Sequence, residues 1–113
     1  MTKPVSPLTW PQLATQFDKS GNVRDVHRRR RGWKHRFRIC SYDRVLLERV
    51  RKFLGQGMIN GEKHPRGRYY RFEIDSGYRT REILQKLLPF LTVKKEMAKK
   101  WVQEHGHLEN PYG

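Results

Sequence analysis

Cysteine occurs once in the chain, at Cys40. That excludes an intrachain disulfide framework and a thiolate-built zinc site, and it fits a reducing compartment. No apolar run approaches the roughly eighteen residues that a membrane-spanning helix needs, and no signal-peptide core is present, so a soluble intracellular protein is expected. Acidic residues are scarce, 11 against 25 Lys and Arg, leaving a formal charge of +14 in 113 residues. Such an excess calls for an anionic partner. No amphipathic helix has a purely cationic polar face, which argues against a membrane surface as that partner. Gly-rich phosphate loops, nucleophile elbows and paired carboxylates are also missing.

What is there suits one folded domain. The apolar fraction is only 35%, yet Phe, Trp and Tyr together number thirteen, too many for a disordered basic tail. Residues 1–8 carry two prolines and read as an arm, 9–105 as a single domain and 106–113 as a tail. Thr9 offers an N-cap, Pro11 falls in the first turn, and Trp10, Leu13, Ala14 and Phe17 repeat at helical spacing until Asp18-Lys19-Ser20-Gly21. Asn22 to His27 and Trp33 to Ser41 flank an arginine run and form a hairpin, the second arm alternating Trp33, His35, Phe37, Ile39 with Lys34, Arg36, Arg38, Cys40. Asp43 to Leu54 is a helix with Ser41 as N-cap and Gly55 at its end. Gln56 to Asn60 and Arg68 to Asp75 form a second hairpin across the turn-rich stretch from Gly61 to Gly67. Thr80 to Leu88 is helical until Pro89, and Thr92 to His105 puts Val93, Met97, Trp101 and Val102 on one stripe.

Helix, hairpin, helix, hairpin, helix, helix is two copies of one unit with a helical end. The economical packing is an α+β domain, a four-stranded antiparallel sheet covered by helices on one face. The uncovered face then carries the cations. Eight Lys and Arg lie between Arg24 and Arg38, and on a strand they alternate with buried positions, which gives the charge a direction. Guanidinium and ammonium groups so arrayed supply phosphate contacts and forks for guanine edges in duplex DNA. The groove-facing candidates are Arg24, Arg28, Arg30, Lys34, Arg36, Arg38 and Arg68, with Tyr70 as the outward member of the Tyr69-Tyr70 pair. Asn22, Asn60 and Glu62 join them as polar contacts. RNA shares this electrostatic demand.

The stretch from Leu13 to Val23 reads Leu-Ala-Thr-Gln-Phe-Asp-Lys-Ser-Gly-Asn-Val. Downstream come Arg36-Phe37-Arg38-Ile39-Cys40-Ser41-Tyr42-Asp43, then Gly57-Met58-Ile59, then Tyr69-Tyr70-Arg71-Phe72-Glu73-Ile74, and finally the segment from Leu87 to Glu96. In this order they resemble the signature helix and later segments of the LAGLIDADG homing endonucleases, over roughly residues 9 to 103. The resemblance implies two helix-hairpin repeats forming a saddle on double-stranded DNA. One copy of the signature implies a homodimer on a pseudo-palindromic site, with Trp10, Leu13, Ala14 and Phe17 at the helix contact. Thr15, where the family has Gly or Ala, widens the expected crossing.

The resemblance also implies Mg²⁺-dependent cleavage, with an acidic metal ligand at the motif's eighth position. Here that position is Ser20, whose hydroxyl brings neither the charge nor the ligand strength a hard cation needs. Asp18 lies about 200° around the helix from it. Gly21 offers a backbone carbonyl to the metal, Lys94 matches the family's basic residue near the active site, and Ser41 falls near the active-site end of its strand. The histidines at 27, 35, 64, 105 and 107 lack the spacing of a metal motif. Two functions stay open on this scaffold: a DNA endonuclease impaired at Ser20, and a non-catalytic DNA-binding regulator or RNA-splicing maturase. A general RNA-binding protein is the third class.

Overall fold

Thr9 starts the first helix by a reciprocal cap. Its hydroxyl accepts the Gln12 amide at 3.4 Å while the Gln12 side chain accepts the Thr9 amide at 3.0 Å, and Pro11 sits where no N–H is needed. Helix α1 spans Trp10–Ser20, followed by strands β1 (Gly21–Arg28) and β2 (Gly32–Ser41), helix α2 (Arg44–Leu54), strands β3 (Met58–His64) and β4 (Gly67–Asp75), helix α3 (Gly77–Leu87), a 3₁₀ turn at Leu88–Phe90 and helix α4 (Lys95–Glu104). The computed structural model describes residues 7–30 and 32–108. The first six residues of the expected arm, Arg31, the tail beyond Leu108 and the side chain of Arg28 lie outside that description.

The sheet is antiparallel throughout, in the order β1-β2-β4-β3. Its register places Val23 opposite Phe37, Phe37 opposite Ile74, and Phe72 between Ile39 and Ile59. These apolar positions share one face, where Phe37, Ile39 and Phe72 are fully buried beneath the helices. Leu13, Ala14 and Phe17 from α1, Leu47 and Val50 from α2, and Ile83, Leu84 and Leu87 from α3 complete the core. The Phe17 ring stacks on Phe37 with centroids 5.3 Å apart, and Phe37 meets Phe72 edge-on. The α+β architecture and the element order are those expected. Among the described residues no helix is long and apolar enough to cross a membrane.

The differences have local causes. Asp43, not Ser41, caps α2 through the Leu46 amide, and the Ser41 hydroxyl instead accepts the Asp43 amide at 2.9 Å. The second hairpin is tighter than expected. Gly61, Glu62, Lys63 and His64 pair with Tyr70, Tyr69, Arg68 and Gly67, leaving Pro65 and Arg66 to make the bend, with Gly67 at φ 120°. Helix α4 begins three residues late because Asp18 holds the preceding turn, so Val93 is 80% exposed and Ala98 takes the buried stripe with Trp101 and Val102. Leu8 is buried and Leu108 packs on the core, so the packed unit reaches past both ends of 9–105.

Candidate nucleic-acid interface

The positions between the buried ones form the open face. Register puts Asn22 opposite Arg38, Arg24 opposite Arg36, Val26 opposite Lys34, and Asn60 and Glu62 opposite Arg71 and Tyr69. Arg24 and Lys34 have no ion-pair partner among the described residues, and Arg30 is exposed in the turn between β1 and β2. Arg36 and Arg38 are not free. Across the β2–β4 register Arg38 donates to Glu73 at 2.9 and 3.1 Å, and Arg36 to Asp75 at 2.5 and 3.2 Å, with a further contact from Arg36 to Glu73 at 3.3 Å. Its hydrogen bond to Asp75 holds the Arg36 guanidinium above its ordinary pKa, against the opposing effect of burial.

Tyr70 does not face outward. It shares the phase of Phe72 and Ile74, packs against the core and lies under the Arg44 guanidinium of α2, 5.7 Å from the ring centroid. Arg68 has the same phase and so leaves the open face too. An apolar alternation of Tyr70, Phe72 and Ile74, already visible in the sequence, marks the covered side. The residues that take the open positions on β4 are Tyr69, Arg71 and Glu73. Arg71 pairs with Glu62 at 3.0 Å. Burial, with the Cys40 thiol and Tyr42 beside it, pushes the Tyr69 phenol above its ordinary pKa, so it keeps its proton as a donor.

At the end of α1 the structure brings Ser20, Gly21, Asp18 and Lys94 together. The Ser20 hydroxyl turns back onto its own helix, accepting from the Gln16 side chain at 2.7 Å and donating to the Gln16 carbonyl at 3.3 Å. The Lys94 ammonium donates to the Gly21 carbonyl and lies over the Phe17 ring. Asp18 accepts the backbone amides of Thr92 and Lys94, each at 2.8 Å, and the Thr92 hydroxyl at 3.0 Å. Partial burial raises its pKa, but those hydrogen bonds outweigh the effect and hold the carboxyl below its ordinary value. Ser41 stays on the Asp43 amide, with no contact to this group among the described residues.

These donors do not fit Mg²⁺. A hard cation wants several free oxygens in near-octahedral array, and here the carbonyl already faces an ammonium while both Asp18 oxygens are taken. The Ser20 and Gly21 metal ligands expected from the sequence are therefore not arranged as ligands. The expected helix contact is also revised. Leu13, Ala14 and Phe17 are fully buried inside their own chain, and Trp10 packs edge-on against Phe53. A single apolar stripe is spent on the core, and Pro11, Gln12, Thr15 and Lys19 are what α1 turns outward.

No protein-family model and no curated protein sequence matches the chain. Solved structures do. The homing endonuclease I-CvuI, crystallised with the I-CreI target in 2 mM Mg with the DNA not cleaved, superposes with a TM-score of 0.68 at 25% identity over 88% of this chain. I-CvuI with its own target and Ca gives 0.69 at the same identity. The chain spans 66% of the I-CvuI chain, just under two thirds. The LAGLIDADG meganuclease I-AabMI bound to uncleaved DNA gives a TM-score of 0.69 at 20% identity, covering 96% of this chain and 39% of that one, and shares the fold. With two helix-hairpin units folded in this way and one signature-like helix leading into Gly21, the chain has the fold of the LAGLIDADG homing endonucleases and is similar to their single-motif members.

Proposed function

We propose that the chain binds double-stranded DNA across the open face of its sheet, as a homodimer on a pseudo-palindromic site, and leaves the DNA uncut. The observation that carries the binding half is the phase of the sheet: Asn22, Arg24, Lys34, Arg36, Arg38 and Asn60 share the face opposite the one on which Phe37, Ile39 and Phe72 are buried, in a chain of net charge +14. A face of this kind gives phosphate contacts at the unpaired cations and base-edge contacts at the more central ones. The I-CvuI and I-AabMI structures are complexes with DNA, which supports double-stranded DNA as the partner.

The uncut half of the proposal rests on the α1 terminus. Cleavage in this family needs a divalent cation, and Ser20, Gly21 and Asp18 are committed to protein partners. The dimer uses the outer face of α1, where Thr15 meets its symmetry mate. Lys19 faces a like charge there, so the pairing is weak in free protein and is stabilised when two subunits share one duplex.

The test selects bound duplexes from a randomised library in the presence of a chelator, followed by incubation of the selected site with Mg²⁺. Enrichment of two half-sites related by a dyad, with the site left intact by Mg²⁺, is the expected result. Equal retention of every sequence, or preference for single-stranded RNA, overturns the binding half. Site-specific cutting overturns the uncut half.

A further inference from the structure

Three side chains far apart in sequence converge on the covered side of the sheet, away from the DNA face. Asp25 of β1 and His35 of β2 are cross-strand partners, and His105 follows the last residue of α4. One ligand atom from each lies within 4.8 Å of the others.

The orientation of His105 is settled by a neighbour that can only accept. Its Nδ1 lies 2.7 Å from the Trp101 carbonyl oxygen, so Nδ1 carries the hydrogen and donates it. In the neutral ring Nε2 then holds a lone pair, and that lone pair faces the Asp25 carboxylate, 3.4 Å from Oδ2. Two acceptors face each other, and a cation between them resolves the conflict. The ring cannot swing away easily, because Trp101 stacks on it with centroids 3.9 Å apart and His35 meets it edge-on at 4.8 Å.

We infer that Asp25, His35 and His105 form a site for a divalent transition metal of the zinc class. Tetrahedral zinc with bonds of about 2.0–2.1 Å has ligand-to-ligand edges of roughly 3.3–3.4 Å, which the His105–Asp25 separation already matches. The His35 Nδ1 to Asp25 Oδ1 hydrogen bond of 2.7 Å opens by a fraction of an ångström and loses its proton when the metal enters. Outer-sphere partners are in place. The Trp101 carbonyl fixes the His105 tautomer, and the Trp101 indole N–H lies 3.1 and 3.2 Å from the two Asp25 oxygens. The site opens into a cleft of about 610 Å³ that His107 also lines. Its ring centroid is 6.0 Å from that of His105. Two imidazoles and one carboxylate suit zinc, cobalt or nickel better than magnesium. A bound ion ties the β1–β2 hairpin to the end of α4 and stabilises the fold by mass action.

The test titrates Co²⁺ into the untagged full chain after chelator treatment, reading the visible ligand-field bands, and measures the thermal midpoint with and without Zn²⁺. The informative variant is His105→Phe, which keeps the stack on Trp101 and removes both nitrogens; His64→Ala, at an exposed histidine in the other hairpin, is the control. Expected are saturation at one equivalent, displacement of the bands by Zn²⁺ and a raised midpoint. His105→Phe should lower affinity by more than the roughly 10–100-fold that loss of an outer-sphere partner costs, and His64→Ala should leave it unchanged. Absence of Co²⁺ bands in the parent chain, or bands that survive His105→Phe in a folded variant, overturns the site and leaves Asp25 as a structural acceptor for the Trp101 indole.

Discussion

The ammonium of Lys94 donates to the carbonyl of Gly21, 73 residues earlier in the chain, where α1 hands over to β1. One cation thereby closes the C-terminal end of the signature helix, where the helix dipole favours positive charge, and pins the turn before α4 against it.

Replacing Lys94 with Met keeps the aliphatic stem over Phe17 and deletes the charged donor. The expected cost is about 1.5–3 kcal/mol of stability, the range for a hydrogen bond made by a charged group. Urea unfolding measures it. An unchanged midpoint would mean that the Gly21 contact contributes nothing in solution.

Ser20→Asp restores a carboxylate at the eighth motif position, beside Lys94. Each subunit of a dimer then brings one negative oxygen donor to the scissile region. The expected outcome is Mg²⁺-dependent, site-specific cutting of a plasmid carrying the selected site by the variant, and none by the parent chain. Silence from the variant would show that Ser20 is not the sole obstacle.

Asp18 gives the fold a defined acid sensitivity. Its carboxyl titrates below the ordinary value of 3.8 in the folded chain, so the unfolded chain binds its proton first. The stabilisation is complete above that ordinary value and is lost as pH falls through the lower folded one. Asp18→Asn presents an amide to two backbone N–H groups and is expected to cost about 1–2 kcal/mol at neutral pH. The gap to the parent chain should close below pH 4, roughly the ordinary carboxylate range. Urea midpoints measured across that range for both proteins provide the check; a constant gap would remove Asp18 from the acid response.

The salt dependence of DNA binding separates free cations from paired ones. Arg24→Ala should reduce the slope of log K against log salt by about 0.9, one phosphate contact. Glu73→Gln removes the carboxylate shared by Arg36 and Arg38 and should steepen the slope by a similar amount. Fluorescence anisotropy over a salt series reads both. A flat response to Glu73→Gln would mean that these guanidiniums touch bases or remain on Asp75.

The alternation of β2 and the apolar stripes of α1 and α2 made the architecture legible in the sequence, since each records which side of an element meets the core. Tyr70 was misplaced because its neighbour Tyr69 has the same side chain, and only the phase of Phe72 and Ile74 separates them. The pairing of Arg38 with Glu73 was hidden by their separation of 35 positions in sequence, as it depends on which strands become neighbours. Asp25, His35 and His105 were hidden for the same reason, with α4 supplying the third member. The α1 stripe was legible as apolar but silent about what covers it, and the core of its own chain proved to be the answer.

The ladder of Arg36, Arg38, Glu73 and Asp75 across β2 and β4 bears on how a duplex is received. Long guanidinium side chains on an open surface normally sample many rotamers and lose that freedom on contact. Here the carboxylates already hold them at fixed heights on the sheet, so much of the ordering entropy is spent during folding. On the proposed function, a duplex would meet a preordered template, and a mismatched groove would not be accommodated by side chains swinging aside.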